Sequence, residues 1–256
     1  IMNNPLKQSS PQISASYLLS DKWSINSHVG RYYQLPPYTA LGFRNNQGVL
    51  INKENDLSYI SADHFVAGLE YRPTKTNLIT FEGFYKMYDN YPFSVDDSIS
   101  LAHREIDFGN VGTEELTPNS EGRAFGIEFL SQNRFKGDIT FVLSYTWAIS
   151  EFKDKNGDYA STTWDNRHIL IATASKRFKN NWYAGLKWRF AGGLPYTPYD
   201  LYLSSFKSAW DVRNQPYLNY DMLTENRFSP FHQLDIRVDK TFNFKKASLK
   251  IYLDIQ

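Results

Sequence analysis

The sequence predicts an all-β fold, an antiparallel transmembrane β-barrel of about ten strands, on three observations. Apolar residues recur at every second position in segment after segment. Short polar turns alternate with long connections, and the face opposite the apolar one carries many charges.

Successive side chains of a strand point to opposite faces, so a two-residue period marks a strand with one apolar side. Segment 11–19 sets Ile13, Ala15, Tyr17 and Leu19 against Ser14 and Ser16, and 22–33 sets Trp23, Ile25 and Val29 against Ser24, Asn26 and His28. In 62–72, Phe65, Ala67, Leu69 and Tyr71 oppose Gly68, Glu70 and Arg72. In 76–90, Ile79, Phe81, Tyr85 and Met87 oppose Thr80, Glu82 and Lys86. Segment 121–133 carries Phe125, Ile127 and Phe129 around Gly126 and Glu128. In 137–150 the alternation is longest: Ile139, Phe141, Leu143, Tyr145, Trp147 and Ile149 oppose Thr140, Ser144, Thr146 and Ala148, with Val142 the exception. The strand at 164–178 leaves its orientation open, because Ile169/Ile171 and Leu170/Ala172/Ala174 are both apolar sets. Segment 181–192 alternates Trp182, Ala184, Leu186, Trp188 and Phe190 with Tyr183, Gly185, Lys187 and Arg189. The last two strands, 231–243 and 247–256, alternate Leu234, Ile236 and Val238 with Asp235, Arg237 and Asp239, then Leu249, Ile251, Leu253 and Ile255 with Lys250, Tyr252 and Asp254. No helical period of similar strength occurs, which leaves room only for short helices inside loops.

The connections separate the candidate architectures. Ser20-Asp21, Pro73 to Lys75, Asn133 to Gly137, Lys179-Asn180 and Phe244 to Lys246 are tight polar turns. Between them lie long segments of about 28 residues after Tyr33, about 30 after Asn90, a dozen after Ser150 and nearly 40 after Gly192, lengths uncommon in compact domains. Short turns at one end and long loops at the other form the layout of an outer-membrane barrel. A soluble sandwich or propeller shows the same alternation, but a propeller repeats every 40–50 residues and no such repeat is visible.

Three further features favour lipid over a protein core. Glu70, Arg72, Glu82, Lys86, Glu128, Lys187, Arg189, Asp235, Arg237 and Asp239 would line one wet interior. The stretch Trp182–Phe190 matches a tilted spanning strand, aromatic at its ends and aliphatic in its middle. Trp23, Tyr71, Phe178, Trp182 and Phe242 all lie near short turns, as an interfacial girdle requires. Phe141, Leu143, Tyr145, Trp147, Trp182, Leu186 and Trp188 are therefore expected on the lipid side.

Composition narrows the function classes. The 256 residues hold 28 basic and 27 acidic side chains, a net charge of +1, so no global field attracts nucleic acid. Aromatic residues reach 16%, with 18 Tyr, 18 Phe and 6 Trp, while mean hydropathy is −0.51. No run of about 18 apolar residues exists, so no transmembrane helix is expected. Residues 1–20 lack the basic start and apolar stretch of a signal peptide, as expected either of a protein that is not exported or of a mature or internal piece. The absence of cysteine excludes a disulfide framework and thiolate metal sites.

Little points to catalysis, and no enzyme activity is expected. His28, His64, His103, His168 and His232 show no paired ligand spacing. "DKNGD" (154–158) places Asp154, Asn156 and Asp158 at calcium-loop spacing without the distal Glu, and Asn-Gly equally favours a tight turn. "GGLPYTPYD" (192–200) reads as a rigid chain reversal, with Tyr196 and Tyr199 as alternative stacking platforms for a ligand. Tyr32, Tyr33, Trp164 and Trp210 lie at or in long loops, and Arg167 with His168 stands near the mouth. The lumenal charges read as a polar lining rather than a specific site.

The order "GRYYQLPPY" (30–38), "SEGRAFGIEF" (120–129), "LSYTWAIS" (143–150), "WDNRH" (164–168), "GLKWRFAGGLPYTP" (185–198), "LDIRVDKTF" (234–242) and "LKIYLDIQ" (249–256) carries a resemblance. It resembles the C-terminal part of the barrel of TonB-dependent outer-membrane transporters, Bacteroidetes type with a carboxypeptidase-like N-terminal extension. The resemblance implies a 22-stranded barrel filled by an N-terminal plug domain and energised through the TonB complex. Residues 1–256 are then part of one barrel domain that lacks the plug and the final strand or strands. It implies active uptake of a scarce solute such as siderophore-iron, a vitamin, a glycan or a peptide. A structural or secretion-partner barrel is the alternative, and a passive porin comes third. Expected partners are outer-membrane lipid and lipopolysaccharide, the protein's own plug, the TonB complex in the periplasm and a surface lipoprotein, with no nucleic acid. No cofactor is expected in the barrel.

Overall fold

The computed structural model describes residues 8–104 and 112–256. The first seven residues of the stretch read for a leader, and 105–111 of the loop after Asn90, lie outside them. Ten long strands follow one another: β1 (Gln12–Leu18), β2 (Trp23–Gln34), β3 (Ile60–Thr74), β4 (Asn77–Ser94), β5 (Leu116–Phe135), β6 (Ile139–Lys153), β7 (His168–Arg177), β8 (Trp182–Ala191), β9 (Phe231–Asn243) and β10 (Ser248–Ile255). They form a single sheet in chain order, every neighbouring pair antiparallel, and Ile99–Ser100 and Tyr159–Ser161 add short strands to β4 and β6. Among the described residues β1 and β10 each pair on one side only, so the sheet as described is open along both edges.

The expected strand centres coincide with the observed strands, and the ends differ for a physical reason. β4 and β5 run on to Ser94 and Leu116, past the last clean alternation, because they continue pairing through register shifts around Tyr88 and Tyr91. A bulge needs no strict period, so this extension leaves no mark on the pattern. β7 starts at His168 rather than at 164, since Thr162, Asp165 and Asn166 are held in a turn. Short helices occupy the loops at Tyr38–Gly42, Ile51–Glu54, Leu201–Ser204 and Lys207–Arg213.

Register resolves the orientation of β7. Leu170, Ala172 and Ala174 stand opposite Tyr145, Leu143 and Phe141 on one side and Phe190, Trp188 and Leu186 on the other. Cross-strand partners share a face. Leu170, Ala172 and Ala174 thus join one apolar surface, continued through Ile236 and Ile255 and, towards β1, through Phe129, Phe81, Leu69 and Ile25. Ile169 and Ile171 lie on the polar face, opposite Arg189 in the case of Ile171.

That apolar surface is not a protein core. Phe81 is 50% exposed, Leu186 48%, Leu234 52% and Leu253 63%. The buried hydrophobic cluster lies elsewhere, under the long loops, where Ala40, Leu57, Leu101 and Leu116 pack with Leu41 and Tyr91. A soluble sandwich would reverse this arrangement, hiding the sheet's apolar side and leaving its loops thin.

Turn geometry follows from the residues at the short ends. The β5–β6 connection takes left-handed angles at Gly137 (φ 84°) and Asp138 (φ 56°), and the β7–β8 turn does so at Asn180 and Asn181 (φ 58° and 61°). Gly, Asn and Asp tolerate those angles best, which allows such tight reversals.

Candidate functional site

Two regions carry polar chemistry: the charged face of the sheet and the layer of loops at its long-loop end. On the sheet, Glu70, Glu82, Lys86, Glu128, Lys187, Arg189, Asp235 and Arg237 all take the parity opposite the apolar rows. Glu82 and Glu128 face each other directly across β4 and β5. Arg189 donates from Nη2 to Asp235 at 3.0 Å, and Gln233 donates to the same carboxylate at 2.8 Å. Arg237 reaches Asp239 at 3.4 Å and Asp254 at 3.6 Å, while Lys250 approaches Asp239 at 3.6 Å. Arg72 pairs with Glu70. The wall is therefore a lattice of mostly paired charges with a concentrated carboxylate pair at its centre.

The predicted rim residues divide between faces. Tyr32 lies on the polar side, its hydroxyl 2.6 Å from His28 Nε2 and its ring 4.4 Å from that of His64. Tyr33 takes the parity of Val29 and Arg31, on the other face, as does Asp63, which pairs with Arg31 through two hydrogen bonds. His168 stands opposite Trp147 on the apolar side, with its Nδ1 2.9 Å from the Tyr145 hydroxyl.

Above the sheet the loops are tied by hubs whose partners lie far apart in sequence. Asn52 is fully buried: its Nδ2 donates to the carbonyls of Ala40 (2.8 Å) and Glu114 (2.9 Å), and its Oδ1 accepts from Leu116 N (2.7 Å). Arg104 binds Asp97 at 2.6 Å and also binds Glu114; burial is the largest single influence on its guanidinium and pulls the pKa down, but the Glu114 hydrogen bond and the Glu114 and Asp97 charges together hold it above the ordinary value. His103 is 2% exposed; burial pulls its pKa below 6.5, against the weaker upward pull of its hydrogen bonds and of Asp154.

The "WDNRH" segment forms the third hub. Asp165, 1% exposed at its side chain, accepts from Arg167 Nε at 2.9 Å and Arg227 Nη2 at 2.8 Å. Arg227 also donates to the carbonyls of Asp165 and Gly193. Trp164 donates to Ser150 Oγ at 3.1 Å yet keeps its ring 43% exposed. In "GGLPYTPYD" the expected chain reversal is not found, since no turn or bend falls between Gly192 and Asp200; the glycines serve close approach instead, for a Cβ on Gly192 or Gly193 would run into the carbonyl of Asn166 or Phe228. Pro195–Tyr196 pairs with Asn226–Arg227, and Tyr196 stacks on Phe228 at 4.4 Å, whereas Tyr199 is open to solvent. Trp210, in the Lys207–Arg213 helix, donates to the Ser204 carbonyl.

"DKNGD" forms a tight reversal between Lys153 and Tyr159. Asp154 Oδ1 accepts from the amides of Asn156 (2.8 Å) and Asp158 (2.9 Å), and Gly157 takes φ 86°. That oxygen is engaged by backbone donors, and among the described residues no group of three acidic or His side chains is arranged for a metal. Beside the reversal, three loops enclose a polar hollow of about 340 Å³ lined by Ser98, Asp154, Lys155, Tyr220, Asp221 and Glu225. Sequence reasoning missed Asn52, Arg104, Asp165 and Arg227. Asp165 stood inside a motif already marked, while the others carry no local signal.

The family model for TonB-dependent receptor-like β-barrels matches residues 3–256. Among solved structures, the ferripyoverdine receptor of the outer membrane of Pseudomonas aeruginosa is similar with a TM-score of 0.63 at 14% identity, over 96% of this chain and 28% of that one. The ferric-catecholate import receptor Fiu from K12 E. coli is similar at TM-score 0.60 and 14% identity, over 91% and 28%. The copper transporter OprC is similar at TM-score 0.60 and 13% identity, over 96% and 32%. The chain thus spans about a third or less of the length of these structures. No curated protein matches it. An open, chain-ordered sheet with one bare apolar face, matched almost end to end by this family model, places the chain in the TonB-dependent receptor family as part of an outer-membrane β-barrel.

Proposed function

We propose that the chain is the C-terminal part of the barrel of an active importer, which takes up a scarce solute with energy delivered through the TonB complex. The observation that carries this reading is the sheet's two-sidedness. An apolar face runs across all ten strands, exposed on eight of them and half-buried on β6 and β7, and a charged face lies behind it. In this reading Phe141, Leu143, Trp147, Leu186 and Trp188 meet lipid, while Glu70, Glu82, Lys86, Glu128, Lys187, Arg189, Asp235 and Arg237 face the lumen and a plug domain encoded elsewhere in the protein. Further strands close the two free edges, since unpaired backbone in hydrocarbon is costly. The loop layer supplies the solute's first contacts, with Trp164 and Tyr199 as exposed rings beside the hubs.

Lipopolysaccharide, the plug, TonB and a surface lipoprotein are the partners of this reading. Its Bacteroidetes assignment rests on the motif order from "GRYYQLPPY" to "LKIYLDIQ". Siderophore-iron, a vitamin, a glycan and a peptide are the candidate solutes. The neighbours' own cargoes of ferripyoverdine, ferric catecholate and copper belong to those proteins. A deletion strain grown on limiting iron, vitamin or glycan sources tests the proposal. Loss of growth on one source, restored by the intact gene but not by one lacking its TonB-contacting segment, is expected. Growth indistinguishable from the parent on all of them favours the structural barrel instead.

A further inference from the structure

The apolar face of β7–β10 holds two cations at its short-turn end and no carboxylate. Lys176 stands opposite Ile139 and Ala184, and Lys240 opposite Trp182 and Ile251. Neither takes part in an ion pair among the described residues. Lys176 Nζ lies 5.1 Å from the centre of the Phe178 ring, and Lys240 Nζ 5.2 Å and 5.6 Å from those of Trp182 and Phe242. Lys240 also donates to the Asn180 carbonyl in the β7–β8 turn. The two lysines are two strands apart and two residues out of row, about 12 Å between backbones at ordinary strand spacing and rise, and the strand between them presents Ala184 beside Lys176 and Trp182 beside Lys240.

On the other strands, β2–β3 and β5–β6, the long-loop end of the sheet's apolar side is built differently. There Arg31 pairs with Asp63 and Arg123 with Glu151, so each arginine has its own counter-ion. Unpaired cations on a lipid-facing surface must reach the head-group layer, and the flanking Phe178, Trp182 and Phe242 rings mark that depth. Short turns face the periplasm in such barrels, so the adjoining head groups are those of phospholipids.

We propose that Lys176 and Lys240 form a site for the phosphate of an anionic phospholipid of the periplasmic leaflet, seated where β8 presents Ala184 and the Trp182 ring. This rests on the membrane reading above. The full-length receptor, extracted in mild detergent, is mixed with phosphatidylglycerol, phosphatidylcholine or lipid A and examined by native mass spectrometry. Wild-type protein should retain phosphatidylglycerol over phosphatidylcholine by about fivefold or more, because one lysine near an anionic surface contributes about that factor. K176Q/K240Q should lose the preference while keeping a heat-modifiable gel shift, and K176R/K240R should keep both. If the Gln pair loses the gel shift, the single variants K176Q and K240Q are each expected to weaken the preference. Equal retention by wild type, an unchanged preference in the Gln variants, or stronger retention of lipid A, the lipid of the other leaflet, overturns the proposal. Recovery of the protein without detergent overturns the membrane reading, and the lipid site with it.

Discussion

At the scale of single residues, close approach and pairing decide what each position tolerates. Gly122 faces Phe152 across β5 and β6, and a Cβ there would stand 2.5 Å from the ring. Phe152 is 1% exposed and packs on Tyr88 and Tyr91, so it has no room to retreat. Gly122→Ala should destabilise the protein by about 1–3 kcal/mol, as over-packing does. Thermal unfolding of the extracted full-length protein would show it, and an unchanged midpoint would argue against the packing described. At Leu143, Arg should cost about 2–4 kcal/mol if the side chain sits at the bilayer midplane, whereas Arg at Ser144, one residue on and facing the other way, should be tolerated. Equal yields of folded protein from the two variants would mean that Leu143 does not meet lipid. Asp165→Asn withdraws charge from Arg167 and Arg227, each about a third exposed, so solvent screens part of the loss. A local weakening of about 1–2 kcal/mol is expected, seen as faster protease nicking within 193–230 with the strands still protected.

At the scale of elements, strands were legible and loops were not. Alternation is written locally, residue by residue, and survives wherever one face is apolar, as in β6 and β8. It failed for β7, where Ile169 and Ile171 make the polar face apolar too; only pairing with β6 and β8 orients that strand. The placement of Glu82, Glu128, Arg189 and Asp235 on the face opposite the apolar one followed from the same period. The loop hubs did not, because Asn52 meets Leu116 and Arg227 meets Asp165 across more than sixty positions. His168 illustrates the same gap, since it opens the strand whose orientation the pattern left undecided. The hub around His103 has its own signature. Its folded-state pKa lies below 6.5, so as pH falls through 6.5 the opened loop takes up a proton that the packed loop refuses. Stability of this loop is complete above that pH and falls below it. Protease nicking near His103 should therefore accelerate on acidification, and His103→Gln should flatten the dependence. A pH-independent rate in wild type would contradict the buried neutral ring.

At the scale of the whole molecule, two solvents hold two layers. The sheet keeps its apolar side open and the loops bury theirs, so removing the membrane mimic and adding denaturant act on different parts. Urea added to protein held in detergent should release the loop layer, by nicking within 38–57 and 193–230, before strand circular dichroism is lost. Simultaneous loss would mean that the layers are coupled.

Every strand in the sheet's order also bonds only its neighbours along the chain. Among the described strands of that sheet, each hairpin finishes its pairing once the next arrives. Such a molecule can be assembled, and through evolution lengthened, by adding hairpins one after another at a growing edge, leaving the seams already made undisturbed.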